Sequence, residues 1–283
     1  MYSRVYVEIT NICNMNCSFC HGHSRAPKKM SRDEFSTILN KLDGVTKYLY
    51  FHLMGEPLTH PDLPEFIKMA ANRGFKPMIT TNGTLLSRRG YELLSVCDEN
   101  TKKPRLHKIN ISLHSFEGDD AEKYKNYLAD IAEFAKKASA LGVIVVLRLW
   151  NKGFDGGNND IALDFLRKNI EGEWAENTRG LRIREKLFLE YGDRFEWPDR
   201  EAQSFSDEVT CYGLRDHFGI LSDGTVVPCC LDSDGVIALG NIFSDDLSKV
   251  LSSPRAIAMK RGFECRRATE ELCRRCQYAQ RFV

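Results

Sequence analysis

From residue 4 to about residue 191, short β-branched runs alternate with longer stretches in which apolar side chains recur every three or four positions. That alternation is the pattern of parallel strands joined by crossover helices. Strands are expected at 4–10, 46–54, 76–81, 108–113, 143–150 and 186–191. The intervening helices carry their own punctuation. Ser31 and Glu34 form a capping box ahead of Phe35, Ile38, Leu39 and Leu42 at helical spacing. Asp62 and Pro64 open the next helix and Gly74 closes it. Tyr124, Tyr127, Leu128, Ile131 and Phe134 give the apolar stripe of a long helix that Gly142 ends. Six β/α units are too few for the eight-stranded barrel, so the expected fold is α/β, a partial (β/α)6 barrel of the TIM type. Functional groups belong at the C-terminal ends of its strands.

Past residue 191 the pattern changes. Residues 192–210 are polar, include Trp197 and Pro198, and read as a linker or an ordered lid. Two short apolar runs then flank Asp223 and Gly224, a strong hairpin-turn signal. A helical stretch is expected over 245–259, followed by the last cysteines. The expected domains are a barrel over 1–191, a linker over 192–210 and a small C-terminal domain over 211–283.

Composition narrows the class. Of 283 residues, 42% are hydrophobic and 28% charged, enough for a large core and too apolar for disorder. The net charge of +1 gives no whole-protein attraction to nucleic acid or to an anionic membrane. The longest apolar run, 141–147, is interrupted by Gly142 and falls far short of the ~20 residues that cross a bilayer. No apolar secretory core follows Met1, which predicts a cytoplasmic, reducing setting in which ten cysteines do not form five disulfides.

The cysteines stand at 13, 17, 20, 97, 211, 229, 230, 265, 273 and 276. Clustering of this kind outside a secretory context reads as metal or iron–sulfur ligation, at two sites. Cys13, Cys17 and Cys20 lie in a loop just past the first strand, among Asn and Ser residues. Three thiolates there can hold three irons of a four-iron cube and leave the fourth open. With His21 or His23 the same thiolates also suit a tetrahedral zinc ion. The later set, Cys211-x12-Gly224-x4-Cys229 and Cys273-x2-Cys276, equally suits a zinc ribbon. Polar groups collect at the other strand ends: Gly55, Glu56 and Pro57 after the second, Asn82 after the third and Ser112 at the fourth. Arg148 is the only charge within 143–150. Taken singly, these residues also fit ordinary turns, a snorkelling arginine and, for Phe19, plain core.

The spacing of Cys13, Cys17 and Cys20 at the end of a first barrel strand resembles the radical S-adenosylmethionine (AdoMet) superfamily. The resemblance implies a [4Fe-4S] cluster whose open iron is chelated by the amino and carboxylate groups of AdoMet. Reduction then cleaves AdoMet to a 5′-deoxyadenosyl radical that takes hydrogen from a substrate. It also implies that Gly55, Glu56 and Pro57 form the glycine–glutamate motif, with Glu56 accepting from the AdoMet ammonium; Met54 stands where a second glycine is usual. Asn82 and Ser112 would face the ribose and carboxylate, Arg148 would clamp the carboxylate, and Phe19 would shield the cluster and border the adenine.

The C-terminal pattern resembles the twitch appendage, a shortened relative of the SPASM domain. By that resemblance Cys211, Cys229, Cys273 and Cys276 hold a second, auxiliary [4Fe-4S] cluster. The longer arrangement needs further cysteines, and the sequence ends seven residues past Cys276. Full thiolate ligation suits the auxiliary cluster to electron transfer. The scheme is similar to that of the aminocyclitol dehydrogenase of the twitch group and of peptide-modifying enzymes. Cys230 is the candidate catalytic residue, a thiol that returns a hydrogen atom as in radical peptide epimerases; a small packed thiol is the plainer reading. Cys97 and Cys265 are read as inert. Implied partners are a reductant such as flavodoxin or ferredoxin and a small-molecule or peptide substrate. A first strand beginning by residue 4 leaves no leader-gripping domain before it, which favours a small or short substrate. Glu190, Tyr191, Trp150 and Trp197 are candidates to face it. Arg179, Arg182 and Arg184 and the C-terminal arginines are interspersed with glutamates, which argues against nucleic acid. RNA modification and a non-catalytic zinc-binding module are the competing functions.

Overall fold

The structure is a computed structural model that describes residues 1–117 and 120–282. In chain order its main elements are β1 (Arg4–Val7), α1 (Arg32–Leu42), β2 (Tyr48–Tyr50), α2 (Leu63–Asn72), β3 (Lys76–Thr81), α3 (Tyr91–Ser95) and β4 (Lys108–Ser112). Then come α4 (Ala121–Ala140), β5 (Ile144–Lys152), α5 (Asn158–Asn169), β6 (Ala175–Asn177), β7 (Gly180–Arg184) and β8 (Leu187–Asp193). Strands β9 (His217–Ile220), β10 (Thr225–Val227) and β11 (Gly240–Asn241) precede α6 (Leu247–Leu251), α7 (Pro254–Glu264) and α8 (Glu271–Arg274). All six expected parallel strands are present as β1, β2, β3, β4, β5 and β8. The chain forms two compact units, residues 1–55 with 195–283, and residues 56–194.

In the first unit β1 runs parallel to β2 on one side and to β9 on the other, and β9, β10 and β11 follow in antiparallel order. Val5 and Val7 are fully buried on one face of β1. The alternate face carries Arg4, Tyr6 and then Glu8, as the two-residue strand period requires. Tyr6 packs with Leu53, Leu221 and Val227, and Tyr50 and Cys230 close over that cluster. Helix α1 begins where its capping box predicts: the Glu34 N–H donates to Ser31 Oγ (3.2 Å) and the Ser31 N–H to Glu34 Oε2 (2.7 Å). The hairpin turns at Gly224, whose φ of +88° is open to glycine at no steric cost. Its pairing with β1, from Arg4 opposite His217 to Val7 opposite Ile220, has no signature in the hydrophobic pattern. The single helix expected over 245–259 is two. Pro254 cannot continue a preceding helix, and Ser253 Oγ caps the new one by accepting from the Ala256 N–H (3.3 Å). Within 192–210, the N–H of Phe205 donates to the Arg274 carbonyl (2.9 Å) and that of Val209 to the Arg266 carbonyl (2.9 Å), so this stretch is tied to the C-terminal segment.

In the second unit β3, β4, β5 and β8 are parallel neighbours, and β7 and β6 extend the order in antiparallel fashion. The β6–β7 hairpin was not expected: every β6 residue is exposed, so no apolar alternation announces it. Helix α4 is capped by Asp120, which accepts from the N–H groups of Glu122 and Lys123. Tyr124, Tyr127, Leu128, Ile131 and Phe134 form its buried stripe, as the spacing predicts. Among the described residues no helix is long and apolar enough to cross a membrane.

Candidate functional site

The cysteine loop leaves β1 and returns to α1, and its two limbs are pinned together. Thr10 Oγ1 donates to the Lys28 carbonyl (3.0 Å) and accepts from the Ile12 N–H (3.1 Å). Asn11 Nδ2 donates to the Ala26 carbonyl (2.9 Å), and Asn11 Oδ1 accepts from the Lys28 N–H (2.7 Å). His23 Nε2 lies 2.9 Å from the Asn11 carbonyl, which can only accept, so that nitrogen carries the ring proton. At the tip the Cys20 N–H donates to the Cys17 carbonyl (3.0 Å). Cys13 and Cys20 are exposed; Cys17 and Phe19 are half-buried. Gly55 approaches the base of this loop at a φ of +74°. A Cβ there would strike the Thr10 carbonyl oxygen and lie 2.8 Å from the Asn11 carbonyl carbon. Glycine is therefore required on two counts, conformation and close approach.

Beneath the loop lies a residue that the pattern reading passed over. Glu8 has no exposed side-chain surface, and its carboxylate accepts from both terminal nitrogens of Arg25 (2.7 Å each). It also accepts from the N–H groups of Met54 (3.1 Å) and Ser222 (3.1 Å). A charged residue at the end of an apolar strand was the available signal, and it carried no indication of a partner 17 residues on.

In the second unit Glu56 is buried, with Oε1 accepting from the Leu58 N–H (3.0 Å) and Oε2 from the Asn82 N–H (2.7 Å). Burial pushes its carboxyl up to about 7, against these backbone donors and the Thr81 side chain, which pull it down. A carboxylate offers about four lone-pair sites, so acceptor capacity remains for a cation. Asn82 turns its side-chain oxygen to the Thr84 N–H (3.0 Å) and hydroxyl (2.6 Å). The Tyr127 hydroxyl donates to the Asn82 carbonyl (2.7 Å) and lies 3.4 Å from that of Ser112, linking the ends of β3 and β4. As one member of an apolar stripe, Tyr127 gave no sequence sign of this polar task. Ser112, Arg148 and Glu190 stand in one row across β4, β5 and β8. Arg148 Nε is 3.9 Å from Glu190 Oε2, and its guanidinium lies 4.4 Å over the Trp150 ring. His114 Nδ1 lies 3.1 Å from the Arg148 carbonyl, which can only accept, so that nitrogen carries the ring proton; burial lowers this imidazole to about 4, so it is neutral at pH 7.

Cys211, Cys229, Cys273 and Cys276 are brought near one another in the first unit. Burial raises all four thiols, Cys229 and Cys273 well above the usual range and Cys276 to about 11. Neighbouring thiols push in the same direction: Cys211, Cys273 and Cys276 each act on Cys229, and Cys211 and Cys276 act on Cys273. Such crowded donors are costly as bare thiolates and are relieved by a cationic centre, so the donor set fits an iron–sulfur cluster. Cys230 adjoins the same thiols, acting on Cys229 and Cys276, and is hydrogen-bonded to the Tyr6 hydroxyl. Among the described residues no group of three or more His, Cys, Asp or Glu is arranged to hold a single metal ion. The ten cysteines are thiols, none joined in a disulfide.

Residues 7–151 match the radical SAM superfamily and residues 211–277 match SPASM, the iron–sulfur cluster-binding domain. The chain belongs to the radical SAM superfamily, whose members are enzymes, and it carries a SPASM domain; the two domains imply [4Fe-4S] clusters and AdoMet. It is 34% identical over 173 residues to the probable GTP 3′,8-cyclase of Methanococcus vannielii, a stretch covering 57% of this chain and 54% of that one. The chain thus spans about half the length of that curated relative. Two solved structures share its fold. BtrN in complex with AdoMet and 2-DOIA matches 98% of this chain and 93% of its own at a TM-score of 0.58 and 15% identity. Streptococcus suis SuiB bound to precursor peptide SuiA matches 98% of this chain and 71% of its own at a TM-score of 0.62 and 16% identity.

Two outcomes are expected. Gly55→Ala forces a Cβ into the Thr10 carbonyl and should cost about 2–3 kcal/mol, read as a lowered thermal midpoint; an unchanged midpoint would contradict the close approach. In the cluster-free chain at pH 8, alkylation followed by mass spectrometry should label exposed Cys13 and Cys20 faster than Cys229 and Cys273, whose burial disfavours the thiolate.

Proposed function

We propose that the chain reductively cleaves AdoMet and uses the resulting 5′-deoxyadenosyl radical to take a hydrogen atom from a small-molecule or peptide substrate. The reading rests on one observation above the others: three thiols on the loop after β1 and four crowded thiols in the C-terminal segment, inside a chain of this family. When bound, the first cluster and AdoMet supply the radical and the auxiliary cluster exchanges electrons.

The chain's own residues take the following roles. Cys13, Cys17 and Cys20 would hold the first cluster, at which AdoMet would bind. Gly55, Glu56 and Pro57 present acceptors to the AdoMet amino group, a contact that the ionised, buried Glu56 carboxylate charge-assists. Asn82, Ser112 and Arg148 orient the ribose and carboxylate, and Phe19 covers the adenine side. Arg148 comes to this task already neighboured by Glu190, so an incoming carboxylate competes with Glu190 for the guanidinium. Cys211, Cys229, Cys273 and Cys276 hold the auxiliary cluster. The proposed division is 1–191 for AdoMet chemistry, 192–210 as linker and 211–283 for the auxiliary cluster.

Two fates of the substrate radical fit these parts. In a dehydrogenation, the cluster that Cys211, Cys229, Cys273 and Cys276 would hold would supply the acceptor for one further electron, with a proton passing to a base. Return of a hydrogen atom from the Cys230 thiol would complete an epimerisation and leave a thiyl radical, which one electron from the external reductant and a proton would restore to the thiol; the Tyr6 hydroxyl holds that thiol. BtrN bound to 2-DOIA and SuiB bound to a peptide are consistent with either substrate class. A reductant such as flavodoxin or ferredoxin supplies the electron that starts the cycle.

Anaerobically reconstituted protein should bind about eight irons, as two four-iron cubes, and release 5′-deoxyadenosine under reduction. Cys20→Ala should abolish release. Cys273→Ala should lose about half the iron yet retain cleavage uncoupled from substrate. Wild-type turnover in both variants would sink the ligand assignment. The pH dependence of AdoMet binding provides a separate check. Because the Glu56 carboxyl is raised to about 7, a cationic ligand must expel its proton at lower pH. Affinity should therefore fall as pH drops from 7 to 5.5, approaching tenfold per unit, and Glu56→Gln should bind weakly with a flat profile. An equal slope in the variant would remove Glu56 from the role.

A further inference from the structure

Glu8 and Arg25 are joined more completely than a strand-end ion pair requires. The two terminal nitrogens of Arg25 grip the two carboxylate oxygens of Glu8 at 2.7 Å, a planar fork on a planar acceptor. The remaining nitrogen, Arg25 Nε, donates to the Ser233 carbonyl at 2.8 Å. Beside it, the N–H and hydroxyl of Ser24 both donate to Asp234 Oδ1, at 2.7 Å and 3.0 Å. The segment that receives these contacts is itself fixed: the Asp232 carboxylate accepts from the N–H groups of Val236 and Ile237, both at 2.8 Å. Arg25 lies five residues past Cys20, and Ser233 lies four residues past Cys229.

We propose that Glu8 and Arg25 are positioning residues forming a latch that sets the conformation of the cysteine loop and ties it to the segment following Cys229. The two cysteine sets are thereby mechanically coupled. The inference rests on the reading of Cys13, Cys17 and Cys20 as cluster ligands for its functional meaning, while the latch itself stands on the contacts. Thr10 and Asn11 close the base of the loop. The limb between Cys20 and Ala26 is surface chain carrying an exposed thiol, and such a limb keeps one geometry only where something buried holds it. Arg25 supplies that hold, anchored below by Glu8 and laterally by Ser233. Glu8 accepts in addition from Met54, the residue preceding Gly55, so the same carboxylate fixes the path into the glycine–glutamate motif.

The test uses the full chain. Arg25→Lys keeps the charge but loses the fork and the reach to Ser233. In the cluster-free chain, hydrogen exchange over both 12–27 and 231–237 should quicken by about tenfold or more, with exchange over β3, β4 and β5 unchanged. After reconstitution, the change that AdoMet causes in the electron paramagnetic resonance of the reduced first cluster should be diminished. Asp234→Ala leaves the Glu8–Arg25 pair intact and should quicken the same two segments by a smaller factor, on the order of threefold, which keeps the test decisive should Arg25→Lys misfold. Exchange that is unchanged, that rises uniformly along the chain, or that rises in only one of the two segments would overturn the latch. Absence of AdoMet cleavage by the wild-type protein would instead overturn the proposed function, and the exchange pattern would still decide the latch.

Discussion

A carboxylate with no exposed surface cannot be left to find water, and around Glu8 the first unit is arranged to spare it that need. One arginine fork and two backbone N–H groups fill its acceptor sites. The donors come from three places far apart in sequence: the return limb of the cysteine loop, the approach to Gly55, and the turn of the C-terminal hairpin. Removing one partner of such a pair leaves a buried charge uncompensated, a loss of about 3–5 kcal/mol. The constraint therefore acts as a joint, since none of these segments can drift without exposing or orphaning the charge.

The two cysteine sets differ in environment as the proposed roles require. Two of the three thiols on the first loop are exposed, and hydrogen bonds at the loop's base pin its two limbs together. The four C-terminal thiols lie in a half-buried cluster where each raises the cost of ionising the next. A closed electron-transfer centre suits the second environment, and an open, substrate-gripping centre suits the first. Glu56 applies the same logic to a carboxyl. Burial raises it to about 7, so at pH 7 it is about half protonated and a bound cation would draw it to the ionised form.

Membership of a family that includes likenesses to a GTP cyclase, BtrN and SuiB does not carry a substrate with it, because one fold supports many reactions through its strand-end side chains. In this chain those side chains include the row Ser112, Arg148 and Glu190, with Trp150 stacked on the arginine and neutral His114 behind it. Two of these five are charged and opposite in sign, so the row can orient a polar group without adding net charge.

Much of this was legible in the residues alone. The six parallel strands followed from alternation of β-branched runs with amphipathic stretches, α1 from a capping box, the hairpin from Asp223 and Gly224, and the two cysteine sets from spacing. These are local features, and local chemistry specifies them. The β6–β7 hairpin escaped because an exposed strand has no apolar face to mark it, and the break between α6 and α7 needed weight given to Pro254. What only the tertiary structure decided is which distant groups meet: Glu8 with Arg25 and Ser222, Glu56 with the Asn82 backbone, the Tyr127 hydroxyl with the ends of β3 and β4, and β9 with β1. Hydrogen-bond partners for buried polar atoms are chosen by three-dimensional proximity, and a linear sequence lists the donors and acceptors without saying which of them the folded chain will bring within 3 Å.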